Sequence, residues 1–96
     1  MNFEIAPKST EIQANWDDAR LYCFSLNIDG KTGWRLPTKE ELNEIYESDN
    51  DFEKAYYWSS TEYNGDRAWG QGFYYGGQLI SKSYGGGYVR AIRSTI

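Results

Sequence analysis

Histidine is absent from the 96 residues, and no other absence excludes as much. Without it the chain lacks the commonest general base, the commonest transition-metal ligand and the usual switch near neutral pH. A single cysteine, Cys23, has no partner for an internal disulfide, and a zinc site of the usual Cys/His type is excluded. No metal and no cofactor are expected. No apolar run approaches the roughly 20 residues that a membrane-spanning helix needs, so no membrane insertion is expected. Ten Lys and Arg stand against fourteen Asp and Glu, a net charge of −4. That balance leaves no basic stripe for phosphate contacts, so a nucleic-acid partner is not expected, nor is an anionic membrane surface. The opening Met-Asn-Phe-Glu has neither the basic segment nor the apolar core of a signal peptide. As the sequence stands it predicts a cytoplasmic protein; trimmed from a longer chain, it would equally suit an extracellular or virion surface.

Aromatic residues are abundant instead: four Trp, nine Tyr and four Phe. Large rings bury much area each, which compensates for small size and for the missing disulfide. The length supports one domain, residues 1–96, because a second would be too small to bury a core.

"NFEIAP" alternates until Pro7 and predicts a short first strand. "NWDDARLYCFSLNIDG" predicts a helix with Asn15 as N-cap and with Asp17 and Asp18 in the first turn, where carboxylates favour the helix dipole. Trp16, Ala19, Cys23 and Leu26 form its apolar stripe. Asp29-Gly30 and Gly33 mark the stop. In "GWRLPTKEELNEIYES", Thr38 and Glu41 make a capping box, and Leu42, Ile45 and Tyr46 supply the buried face of a second helix. From Tyr56 the period changes to two. "YYWSST", "RAWGQGFYY", "QLISKSY" and "YVRAIR" predict four strands, with turns at Asn64-Gly65, at Gly76-Gly77 as a two-residue hairpin, and more loosely at 85–87. The fold class is therefore α+β: two helices, then an antiparallel meander.

Most candidates for chemistry have a simpler structural explanation. The acidic run Asp49, Asn50, Asp51, Glu53 fails the calcium-loop pattern, since Lys54 falls where the glycine is required and Ser60 where the glutamate is. Asp17 and Asp18 point about 100° apart on a helix and do not share a site. Cys23 has no base and lies on the apolar stripe. Ser59, Ser60 and Thr61 lack a base as well. Arg35, Arg90 and Arg93 stand among apolar residues, where arginine commonly meets a carboxylate; Glu40, Glu41 and Glu44 are candidate partners, and an anion-binding pocket is the alternative. The richest functional signal is the Tyr, Ser, Gly and Asn content of residues 62–88, the composition of recognition surfaces as well as of small sheets.

The order of motifs, "NWDDARLYC", "GWRLPTKEEL", "YYWSST" and a terminal "YVRAIR", resembles the bacterial domain found at the C-terminus of collagen-like adhesins, the Lcl C-terminal family, over about residues 15–93. Its structural signature falls on Trp34, Arg35, Leu36, Pro37, Thr38, Glu41, Trp58 and Arg90. The resemblance implies a C-type-lectin-like fold, akin to sulfatase-modifying, formylglycine-generating domains, with two helices on a twisted antiparallel sheet and the first and last strands paired. It also implies adhesion or ligand recognition on cell or phage surfaces, in some members of glycans. Ala91 stands where members often carry a second cysteine. The cysteine pair of the formylglycine-generating enzymes and the Glu-Pro-Asn or Trp-Asn-Asp motifs of calcium-dependent lectins are absent from this sequence. The expectation is a non-catalytic binding module that contacts a protein or glycan ligand through Tyr63, Asn64, Trp69, Tyr74, Tyr75, Gln78 and Tyr84. The alternative is a structural subunit that buries its exposed aromatics in a homo-oligomer.

Overall fold

A computed structural model describes residues 1–74 and 76–95. The chain runs β1 (Phe3–Ile5), a single 3-10 turn (Lys8–Thr10), β2 (Ile12–Ala14), α1 (Trp16–Ser25), β3 (Trp34–Arg35), α2 (Lys39–Tyr46), β4 (Tyr56–Glu62), β5 (Arg67–Gly72), β6 (Gly76–Ser81), β7 (Gly87–Val89) and β8 (Ile92–Ser94). The fold is α+β, and the first and last strands pair, with Phe3 opposite Ser94.

Both helices begin at the expected caps. Asn15 Oδ1 accepts from the Asp18 amide at 2.9 Å. Thr38 Oγ1 accepts from the Glu41 amide at 3.1 Å, and Glu41 Oε1 accepts from the Thr38 amide at 2.8 Å, so the capping box closes in both directions. Trp16, Ala19 and Cys23 are buried along α1, as are Leu42 and Ile45 along α2.

The single antiparallel meander is corrected. There are two sheets, a three-stranded one ordered β1-β8-β3 and a five-stranded one ordered β2-β7-β4-β5-β6. The segment read as one strand, "YVRAIR", breaks at Arg90-Ala91 and changes sheet. Its first half pairs with β2 and also runs parallel to β4, where Tyr57 meets Tyr88. Its second half lies between β1 and β3. The cause is that Val89, Arg90, Ala91 and Ile92 are all buried, so no solvent face remains to impose a period of two. The Gly76-Gly77 hairpin is corrected as well. Gly72 pairs with Gly76, so the connection spans three residues, 73–75, and Gly76 takes its positive φ of 113° as the first residue of β6.

Strand β4 divides two cores. Trp58 faces Trp16, Cys23, Trp34, Leu36 and Val89 under α1. Tyr57 faces Leu42, Ile45, Phe73 and Ile92 under α2. The segment Trp34 to Thr38 is the joint between them: Trp34 and Leu36 are buried, Pro37 is among the largest fully buried side chains, and the Pro37 carbonyl accepts from the Ser60 amide at 2.8 Å.

Arg35 joins the same device. Its guanidinium grips Glu41 through Nη1 to Oε1 at 2.7 Å and Nη2 to Oε2 at 2.9 Å. These bonds, with help from the Thr38 amide, hold the Glu41 carboxyl down at about 2. A carboxylate with a lowered native pKa stabilises the fold above its unfolded value, and that contribution disappears as pH falls through the native one. Thermal midpoints should therefore drop between about pH 4.5 and 2, and Glu41→Gln should flatten that part of the profile. An unchanged slope in the variant would mean that Glu41 is not a source of the acid sensitivity.

Candidate functional site

Register decides which of the expected ligand-contacting residues meet. Along β5, Trp69 and Gln71 point to the α2 side of the sheet, while Ala68 and Gly70 point to the α1 side; this follows from strand alternation and from Ala68 packing in the α1 core. Gln78 pairs with Gly70 and Leu79 with Trp69. Gln78 thus lies on the face opposite Trp69, and its carbonyl accepts from the Tyr56 hydroxyl at 3.4 Å. Tyr63 is with Trp69, its ring edge-on at 6.4 Å. Asn64 spends its side chain inside the β4–β5 turn, where Oδ1 accepts from the Asp66 and Arg67 amides. Tyr74 is 63% exposed beyond the Gly72 end of β5, a strand that itself spans five residue steps, or about 17 Å, from Arg67. Tyr84 is exposed in the β6–β7 loop, its ring so close to Gly86 that a side chain there would overlap it. Tyr75 lies outside the described residues. The six that are described do not form one face; Tyr63 and Trp69 do.

Around Trp69 lies a shallow depression of about 360 Å³. Its rim is Lys39, Glu40 and Asn43 from the first five residues of α2, and its floor is Trp69, Gly70 and Gln71 from β5 with Gly77 from β6. The helix is placed here because the Lys39 amide, one of the donors left over at a helix start, finds Thr61 Oγ1 at 3.0 Å. Lys39 Nζ stands 4.5 Å from the Trp69 ring centroid, a cation–π contact, and has no ion pair among the described residues. Gln71 is 3% exposed, and its Nε2 is a buried donor without a partner among the described residues. Native proteins rarely leave such a donor unsatisfied.

A second concavity, of about 540 Å³, runs along α1. Leu21 and Phe24, 67% and 84% exposed, stand over Trp34, Leu36 and Ser60, with Asp17, Arg20 and Arg35 around them. Periodicity assigned α1 only its inner stripe. The outer one, Asp17, Arg20, Leu21 and Phe24, has the same helical spacing and was overlooked because two charges interrupt it. Gln71, Lys39 and Asn43 were overlooked for another reason: nothing local in the sequence says that the start of α2 lies over β5.

The three arginines are engaged with carboxylates. Arg35 has Glu41, as expected. Arg93 takes Glu4 at 3.0 Å. Arg90, 4% exposed, donates from Nε to the Ala6 carbonyl at 2.6 Å, from Nη1 to Glu11 at 3.3 Å and from Nη2 to Asp51 at 2.9 Å. Asp51, from the acidic 49–53 run, thereby serves as an arginine partner, which holds its carboxyl below the usual range. Among the described residues no three Cys, Asp or Glu side chains converge as a metal site. Burial pushes the Cys23 thiol up to about 12. Among the described residues no helix is long and apolar enough to cross a membrane.

No curated protein matches the chain. The model of the Lcl C-terminal domain matches residues 4–93, from within β1 to within β8, and the chain belongs to that family.

Proposed function

We propose that this domain is a non-catalytic recognition module that meets a protein or glycan surface at the Trp69 depression. One observation carries the reading: Gln71 Nε2 is held, buried and without a partner among the described residues, beside a half-buried tryptophan. A donor left unsatisfied costs about 1–3 kcal/mol, and a ligand acceptor would offset that cost. Glycine floors and an aromatic ring flanked by polar side chains suit stacking and hydrogen bonding together. The C-type-lectin-like arrangement implied by the family resemblance is part of the proposal.

The test separates binding from folding. Gln71→Leu removes the orphan donor and is expected to leave the urea midpoint unchanged or raise it. Trp69→Ala is expected to lower it modestly. Both variants should lose capture of whatever the unmodified domain retains on a glycan array or from a protein library. Capture that survives both changes would remove the depression from consideration.

Phe24 and Leu21 favour a second reading, an assembly subunit that buries the α1 groove against another chain. Light scattering at micromolar concentration tests it, and a monomer counts against it.

A further inference from the structure

We propose that the ligand of the Trp69 depression is an extended, acidic polypeptide segment that adds to β6 as a sixth strand of the larger sheet. The inference rests on the recognition reading above and names the partner's chemistry.

β6 is the outer strand of the five-stranded sheet, and among the described residues no strand pairs with its outer side. Folded proteins blunt such edges with charge, proline, bulges or brevity. The other edges comply: β1 and β2 are three residues long and β3 is two. β6 does not. Its six residues, GGQLIS, carry no charge and no proline, and they pair with β5 in six consecutive registers without a bulge.

The depression opens onto this edge. Gly77 pairs with Gln71 and lies in its floor, so no side chain separates Gln71 from the edge at that register. A strand added beyond β6 would run about 10 Å from β5, two strand spacings. A glutamate leaning across Gly77 covers that gap toward the Gln71 side chain. The donors waiting there are Gln71 Nε2, without a partner, and Lys39 Nζ, without an ion pair among the described residues. Glu40 is the one carboxylate in the lining, and against it these two donors favour a ligand carboxylate, with the exposed Lys39 and Asn43 side chains parting to admit it. Main-chain pairing would supply affinity and the depression specificity, the usual division in strand addition.

The probe is a displayed library of twelve-residue peptides, panned on the intact domain and counter-panned on Gly77→Lys. That variant can fold, because a Cβ at 77 meets only the Gly70 carbonyl oxygen, at 3.7 Å. Enrichment of peptides with Asp or Glu among β-prone residues is expected, with new amide-exchange protection along β6. Affinity should fall at least about tenfold, roughly 1.4 kcal/mol, in both Gly77→Lys and Gln71→Leu. Peptide binding without protection of β6, or binders lacking acidic residues, would overturn the proposal. Retention on a glycan array with no peptide enriched would overturn it while leaving the recognition reading intact. Self-association abolished by Gly77→Lys would make a second copy the occupant and overturn it too. No binder of either kind would sink both readings.

Discussion

Arg90→Met should destabilise the domain by about 3–5 kcal/mol, the usual result of removing one partner from a buried ion pair. Arg90 is 4% exposed and joins three segments: the chain after β1 through the Ala6 carbonyl, β2's approach through Glu11, and the loop before β4 through Asp51. Its guanidinium also stands 4.9 Å from the Phe52 ring centroid. Methionine fills part of the volume but leaves the Glu11 carboxylate, 10% exposed, with the Tyr57 hydroxyl and a longer contact to Lys8 as its remaining partners. The exposed Asp51 contributes little, since its charge returns to water. Urea unfolding measures the loss, and Arg90→Met combined with Glu11→Met should recover part of it by removing the stranded charge. A single-variant loss below about 1 kcal/mol would show that water reaches Glu11 and that the pair is not buried.

Trp58→Ala is expected to cost a similar 3–5 kcal/mol, through the cavity it leaves in the α1 core. Trp58 is fully buried, its ring meets Tyr56 edge-on at 5.4 Å, and its Nε1 donates to the Ala14 carbonyl at 2.8 Å. That bond ties β4 to β2 across β7, where Gly87 leaves room for the indole: a methyl group at 87 would overlap the ring. Trp58→Phe should be milder, restoring most of the volume while removing the bond to the Ala14 carbonyl. Gly87→Ala should cost about 1–3 kcal/mol by overpacking. The ordering Trp58→Ala above Trp58→Phe, read from urea midpoints, checks the account; equal losses would assign the whole effect to the hydrogen bond.

What could be read from the sequence was what local chemistry specifies. The caps at Asn15 and Thr38, the stripes of α1 and α2 and the Asn64 turn each depend on residues within a few positions. The pairing of the two ends came with the family resemblance. The short strands β2 and β3 were missed, because three and two residues carry no periodicity and their partners lie far along the chain. The change of sheet at Arg90-Ala91 left no local mark beyond a run of buried residues. At the candidate site, Trp69 and Tyr63 were legible as strand aromatics. Gln71 looked like any polar strand residue until α2 was placed above it, and Gln78 was grouped with Trp69 only because alternation without register does not say which face is which.

The pairing of β1 with β8 has a mechanical consequence. Phe3 lies opposite Ser94, and the Thr95 amide reaches the Asn2 carbonyl at 3.1 Å, so both ends of the domain emerge side by side at one end of an antiparallel pair. A load applied between those ends would meet the β1–β8 bonds one after another, as in unzipping, rather than all at once as in shear. The domain would therefore yield at low force if pulled from both termini, while a load taken through one terminus and a bound ligand would bypass that seam.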